Sequence, residues 1–497
     1  MSTDSIDQLI RSNKVVFLVL IIFTLAAHGA GIFNGYTWDD NYLIPQAEKL
    51  ASDDNISSIL KGAFTDRQAG SSGAGGSYYR PLRTLIFMFV VSLPGPHTIY
   101  LHSFSILLQI LVSFMVFILA LSITKKRLVS LFSALLFAVH PVVTESVAGI
   151  SNVKEILSAL FVLITIYYLY RIVDSNEGRI SYSIIITISA LAGHLSKETA
   201  LVIPIVSIVM LIIFRQKAGK LFLYGVLPLL AVTVLYMFMI LYVSPGPERG
   251  EYILGSPAIT LYTTSAAFLE YIKIIFWPAD LSVRHDIAWI VTPLDWHVIS
   301  VVVLIILLSV SSIYLIKKED HRAFPLVFFI ISLLPLSNIV PVIGHIMSER
   351  YIYMPLSALC LTGAVFLKED VIIRRFLPAF LLILIALTVR SAARTVDWKN
   401  DTALFESAVR IAPDSLVVRW NLHRIYLKSG EEQKARHEYD AMLRINRAAV
   451  ERYVYFAKRR DQEGNSGEAK KIWDRAEYSA SGNPYLIEYV RKQRYEN

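Results

Sequence analysis

Apolar residues along this chain fall into long blocks separated by short polar turns. A helix needs about 20 residues to cross a hydrocarbon core, and the blocks approach that length. The pattern predicts spans near 15–33, 99–123, 128–147, 153–170, 180–195, 199–214, 221–243, 298–316, 324–343, 351–367 and 374–391. No small-residue cleavage pattern follows the first block, so it reads as a retained span rather than a signal peptide. The fold class is therefore all-α. A polytopic membrane bundle of about eleven spans fills 1–396, and a helical-repeat domain follows at 397–497.

Short loops rich in lysine and arginine stay cytoplasmic. The candidates are Lys125-Lys126-Arg127 and the loops at 171–179, 215–220, 317–322 and 368–375. With Arg11 and Lys14 also cytoplasmic, the spans alternate without conflict. An odd count leaves the C-terminal domain on the outer, periplasmic or lumenal side. Block 259–276 is apolar enough to span but carries Glu270 and Lys273. Counting it would turn the later basic loops outward, so it is expected to lie at the interface or re-enter. Two outer loops are long, 34–98 and 244–297. In the first, Leu43, Ile44, Leu50, Ile56, Ile59, Leu60 and Phe64 suit helices on the membrane surface, and GSSGAGGS at 70–77 suits a flexible connector.

Composition agrees. Hydrophobic residues make up 55% and charged residues 18%, against about 45–50% and about 25% in soluble domains. The net charge of +8 sits mostly in the short loops, which indicates membrane orientation and not nucleic acid. Cys360 is the one cysteine, so neither an intrachain disulfide nor a cysteine metal site exists.

After Val396 the sequence turns polar and a period of 34 emerges. Leu422 aligns with Phe456, Gly430 with Gly464, Ala435 with Ala469, and Tyr439 with Trp473. One unit earlier, Phe405 and Ala408 align with Tyr439 and Met442. Period and pattern look like tetratricopeptide repeats, with Pro413 closing a first, partial unit. Arg419 stands where tryptophan is usual, and Arg447 and Ser481 replace the closing proline.

Polar groups beside a membrane core ask for a reason. Asp39 and Asp40 follow the first span directly. Either could act as general base on an acceptor hydroxyl, or the pair could simply cap a helix. Arg80 and Arg83 suit phosphate, or a snorkelling interface. His140, Glu145, Lys154 and Glu155 bracket one outer turn. His194, Lys197 and Glu198 occupy the next, and Glu349, Arg350 and Tyr351 another. Each reads equally as a local ion pair. The charge rule puts all of them on one face, where they can converge. Every such group precedes Val396, so the repeats are expected to carry no chemistry, and truncation near Lys399 to leave the cavity intact.

Taken in order, WDD (38–40), YYRPL (78–82), HPVVTESVAGISNVKE (140–155), SKETALVIP (196–204) and SERYIYMPL (348–356), followed by the repeats, resemble the transmembrane-and-tetratricopeptide O-mannosyltransferases and their bacterial relatives, of the GT-C glycosyltransferase fold. The resemblance covers nearly the whole chain. It implies a polyprenyl-phosphate sugar donor, inversion at the anomeric carbon, and transfer to an acceptor hydroxyl, protein serine or threonine foremost, at the outer face of the bilayer. It makes Asp39 or Asp40 the base. Arg80, with Lys154, Lys197 and Arg350, would neutralise the leaving phosphate. Arg83, His140, Glu145, Glu155, His194, Glu198, Glu349 and Tyr351 would complete the donor site. No cofactor is called for, and a divalent metal shared by Asp39, Asp40 and Glu145 stays open. Relatives often carry Gly-Arg where this chain has Asn152-Val153, which removes one cation.

Two other readings compete. A membrane scaffold would use the repeats to recruit partners but has no use for Asp39, Asp40 and Arg80. A transporter for lipid-linked sugars would show inverted halves and midplane charges; neither is visible in the sequence.

Overall fold

The computed structural model describes residues 11–53, 66–67, 77–78, 80–175, 178–243, 251–341, 346–367, 375–481 and 483–495. Most of the Gly-Ser connector at 70–77, the stretch 54–65 of the first long loop with Ile56, Ile59, Leu60 and Phe64, and the basic loop at 368–374 lie outside the described residues. The regular secondary structure described is helical apart from a two-residue antiparallel ladder, Asp66–Arg67 with Ser77–Tyr78.

Among the described residues, seven helices are long and apolar enough to cross a membrane: Asn13–Phe33, His97–Thr124, Ile150–Ser175, Arg215–Leu241, Pro257–Phe276, Trp296–Lys317 and Leu377–Asp397. The pair Arg127–Val139 and Pro141–Ala148, bent by 48°, makes an eighth. The bend falls at His140-Pro141, because a residue before proline leaves the helical region and proline has no N–H to give. Each span read from the sequence overlaps a helix or broken helix, although helical structure in the one near 324–343 ends at Ser337. Ile180–Ser196, Glu198–Ile213 and Ala323–Ser337 are shorter than the rest. The chain is thus an integral multi-pass membrane protein, packed around fully buried residues such as Leu20, Val116, Phe117, Val162, Leu163 and Ile166.

The charged ends sort onto two faces. On one, Lys125 pairs with Asp174 at 3.0 Å, Arg127 donates to Asn13 at 2.6 Å, Lys217 donates to the Val173 carbonyl at 2.6 Å, and Arg215 pairs with Glu319. The N-terminal end and four basic loops therefore share a face. The candidate chemistry lies at the other ends of the same helices.

Pro257–Phe276 is one unbroken 20-residue helix. Near its start, Ile259 packs with Val450 and Val454 of the C-terminal domain. Near its end, Ile274 packs with Val142 and Ile352, and the Ile275 carbonyl meets His140. Both ends thus touch elements of the chemistry-bearing face.

The C-terminal helices Asp401–Ile411, Leu416–Lys428, Glu432–Gln462, Ser466–Ala480 and Pro484–Tyr495 stack in sequence. The 34-residue period is visible bond for bond. Gly430 and Gly464 both take the left-handed conformation, at φ 76° and 78°. Ser429 N–H donates to the Ile425 carbonyl and Glu463 N–H to Arg459; Glu431 N–H donates to Tyr426 and Asn465 N–H to Arg460. One sequence expectation fails. The 31-residue helix Glu432–Gln462 passes through Arg447 without the break between units that a closing proline would impose. Arginine keeps its N–H and favours helix, so two repeat helices fuse into one.

Candidate functional site

Three spans open on the chemistry-bearing face with a tight 3₁₀ turn. Ile150–Asn152 precedes Val153–Ser175, Glu198–Leu201 precedes Val202–Ile213, and Glu349–Ile352 precedes Tyr353–Phe366. A fourth helix, Pro81–Val91, starts directly after Arg80 with proline at its first position. Helix N-termini expose unpaired N–H groups and the positive end of the helix dipole. Four of them on one face favour an anion there.

Basic side chains reinforce this. Arg80 is buried and forks onto Glu198, Nε to Oε2 at 3.2 Å and Nη2 to Oε1 at 2.7 Å. Lys197 pairs with Glu155 at 2.5 Å, both side chains buried. Arg350 pairs with fully buried Glu145 at 2.5 Å, and its backbone N–H donates to the second Glu145 oxygen at 3.0 Å. Tyr351 carries Lys197 and Arg350 over its ring at 5.0 and 5.1 Å. Buried Lys154 lies within the electrostatic reach of Arg80, Arg83 and Arg350, and its ammonium donates to the Ser151 carbonyl at 3.2 Å. Arg80, Lys154, Lys197 and Arg350 thus gather around three directly paired carboxylates, Glu198, Glu155 and Glu145. Burial works against the charge on Arg350, but Glu145, Tyr351, Asp39 and Glu155 more than offset it, and its pKa is raised.

The two adjacent aspartates separate. Asp40 is fully buried. One of its oxygens accepts the Thr37 N–H at 3.1 Å and the Thr37 hydroxyl at 3.3 Å; the other accepts the Ser151 N–H at 2.6 Å. It ties the first outer loop to the Ile150–Asn152 turn. Burial pushes its carboxyl up to about 6, against the opposing pull of those N–H donors. Asp39 is half-buried, and its charge acts on Arg350. Trp38, just before it, takes the left-handed conformation at φ 46°, which costs a non-glycine residue about 1–2 kcal/mol.

Other expected residues serve packing. His140 spends both ring nitrogens locally, Nε2 with the Ile275 carbonyl at 2.9 Å and Nδ1 with the Val142 N–H at 3.3 Å. His194 meets the Thr233 hydroxyl at 3.0 Å and stacks on Tyr236. Glu349 is fully buried in a separate knot, where it accepts from the Ser282 N–H, meets His285 Nε2 at 3.1 Å and lies 3.6 Å from Arg394. Arg83 is buried on its helix, 5.8 Å from the Phe87 ring. Among the described residues no group of three or more His, Cys, Asp or Glu stands where it could hold a metal ion.

Sequence reasoning missed His285, Arg394 and Ser348. An arginine closing an apolar block was a legible signal for Arg394. Ser348, whose hydroxyl donates to Glu145 at 3.0 Å, had none. It missed Asp401 too. That carboxylate accepts the Trp38 N–H at 2.7 Å and the Asn41 amide at 3.0 Å, so the site is not independent of residues after Lys399.

Residues 81–242 match the dolichyl-phosphate-mannose-protein mannosyltransferase family. A Caenorhabditis elegans protein O-mannosyl-transferase is 24% identical over 453 residues, 86% of this chain and 62% of the relative. Human protein O-mannosyl-transferase TMTC4 is 26% identical over 477 residues, 81% of this chain and 63% of the relative. The chain therefore spans less than two thirds of these curated relatives. A solved Archaeoglobus fulgidus oligosaccharyltransferase tethered to an acceptor peptide aligns with a TM-score of 0.45 at 12% identity, over 78% of this chain and 55% of that one, a likeness too loose to argue from.

Proposed function

The chain is a relative of the transmembrane protein O-mannosyltransferases, and from that premise we propose that it is a GT-C-type membrane glycosyltransferase acting on a polyprenyl-phosphate sugar. One observation carries the reading: half-buried Asp39 lies within the electrostatic reach of Arg350, which belongs to a cationic, helix-N-terminal cluster. A base next to an anion site is what transfer from a phosphate-bearing lipid requires.

The chemistry is a single displacement. The Asp39 carboxylate takes the proton from an acceptor hydroxyl as its oxygen attacks the anomeric carbon. The bond from that carbon to the phosphate oxygen breaks, and the phosphate leaves with the electron pair. One in-line attack inverts the anomeric centre and needs no second nucleophilic carboxylate. Arg80, Lys154, Lys197 and Arg350 stabilise the leaving phosphate, an effect that grows as water is excluded. Asp40 holds the loop that carries Asp39. Glu145 fixes Arg350, and Glu155 fixes Lys197. The acceptor class is protein serine or threonine. The basic loops make their own face cytoplasmic, so the reaction belongs to the extracytoplasmic or lumenal side with the C-terminal domain.

The test is sugar release from a synthetic polyprenyl-phosphate mannose by the purified chain with a serine- and threonine-containing peptide. Transfer with an inverted anomer supports the reading. Donor binding without transfer to any hydroxyl acceptor would favour the scaffold or carrier alternative.

A further inference from the structure

Asp401 is the second observation that asks for an explanation. It opens the helix Asp401–Ile411, where an acid ordinarily serves the helix dipole. The capping work there is done by its neighbour: the Asn400 side chain accepts the Ala403 N–H at 2.9 Å. Asp401 instead turns both oxygens onto the first outer loop, to the Trp38 N–H and the Asn41 side-chain amide. From the same helix Phe405, 1% exposed, meets the Trp38 ring edge-on at 5.7 Å. The Lys399 carbonyl accepts the Gly35 N–H at 2.9 Å, and the Thr395 carbonyl accepts the Asn34 amide at 3.0 Å. A residue in a sparsely populated conformation persists only when its surroundings over-determine it. Trp38, at φ 46°, is held at its N–H and at its ring by the C-terminal domain.

We propose that Asp401 is a positioning residue of the site: from the C-terminal domain it locks the left-handed turn at Trp38, and so sets where the Asp39 carboxylate points. This rests on the reading of Asp39 as the base. Asp401 itself touches neither donor nor acceptor. The C-terminal domain is thereby more than an accessory, since its first helix completes the geometry of the acidic turn.

The experiment is steady-state transfer by the full chain carrying Asp401→Ala, Asp401→Asn or Asn41→Ala, with donor binding measured separately. A misplacement near 1 Å at a reacting group costs about 10²-fold. Asp401→Ala should therefore lose about 10²-fold in kcat while donor affinity stays at the wild-type value. Asp401→Asn keeps an oxygen for the Trp38 N–H and should recover most of that loss. If Asp401→Ala does not fold, Asn41→Ala removes one bond to the same carboxylate and should still lower kcat alone. Wild-type kcat in the folded variants overturns the proposal, as does a fall in donor affinity in step with kcat. Failure of the wild-type chain to transfer sugar would instead sink the underlying function, so the two failures are distinct.

Discussion

Glu145 and Arg350 lie 205 residues apart in sequence and 2.5 Å apart in space. One comes from the turn after the His140-Pro141 break, the other from the 3₁₀ turn opening the Tyr353–Phe366 helix. Glu145 accepts from both the guanidinium and the backbone N–H of Arg350, and from Ser348. The pair locks two turns of the site together and fixes the guanidinium proposed to meet the donor phosphate.

Removing one partner of a buried pair strands the other charge, at about 3–5 kcal/mol. Glu145→Ala should therefore lower the unfolding temperature of the purified protein markedly. Glu145→Gln, which keeps an acceptor for the Arg350 N–H, should lower it less. Unfolding of the alanine variant at the wild-type temperature would show that the pair is not a structural lock.

Arg80 is charged in the resting enzyme, and so is its proposed partner phosphate. Arg80→Ala should weaken donor binding by about 1.5–3 kcal/mol, the worth of a charge-assisted hydrogen bond. Titration with a polyprenyl-phosphate sugar reads this directly. Unchanged affinity would take Arg80 out of the donor site.

Asp40 gives a signed pH dependence. Burial raises its carboxyl from 3.8 to about 6, so the folded protein holds the proton more tightly than the unfolded chain. Its contribution to stability is fully present below 3.8 and is lost as pH rises through about 6. Relative to Asp40→Asn, the wild type should gain stability as pH falls from about 7.5 to about 5, by an amount on the order of 1–1.5 kcal/mol. Chemical unfolding at the two pH values checks it. A constant difference, or one that grows with pH, would mean that Asp40 is not buried as described.

Gly430 and Gly464 occupy equivalent left-handed turns, and a Cβ at either meets nothing within 4 Å. Alanine there suffers from backbone conformation alone, at about 1–2 kcal/mol. Gly430→Ala and Gly464→Ala should thus destabilise the C-terminal helices by similar amounts. Hydrogen exchange across 416–480 reads this, and a cost at only one position would contradict the equivalence of the turns.

Much of this was legible in the sequence because membrane physics writes in long blocks. Spans, basic loops and the clustering of Arg80, Lys154, Lys197 and Arg350 on one face follow from hydropathy and charge alone. The 34-residue register was legible because Gly430 and Gly464 mark it. The fused helix through Arg447 was not: a missing proline permits a helix to continue without requiring it. His140 and His194 read as site residues because an imidazole in an apolar block looks expensive; in the fold, Nε2 of the first meets a carbonyl and Nε2 of the second a hydroxyl. Asp39 and Asp40 were indistinguishable because their division of labour depends on Thr37 and Ser151, and only folding brings the second of these near.

The most direct test of the account is turnover of Asp39→Asn with a synthetic polyprenyl-phosphate sugar and a hydroxyl acceptor. A positioned base contributes about 10²–10⁴-fold, and its service is needed in the transition state rather than in the resting complex. The account predicts a loss of turnover of that size in a folded protein that still binds donor at wild-type affinity. Turnover of Asp39→Asn at the wild-type rate would contradict it.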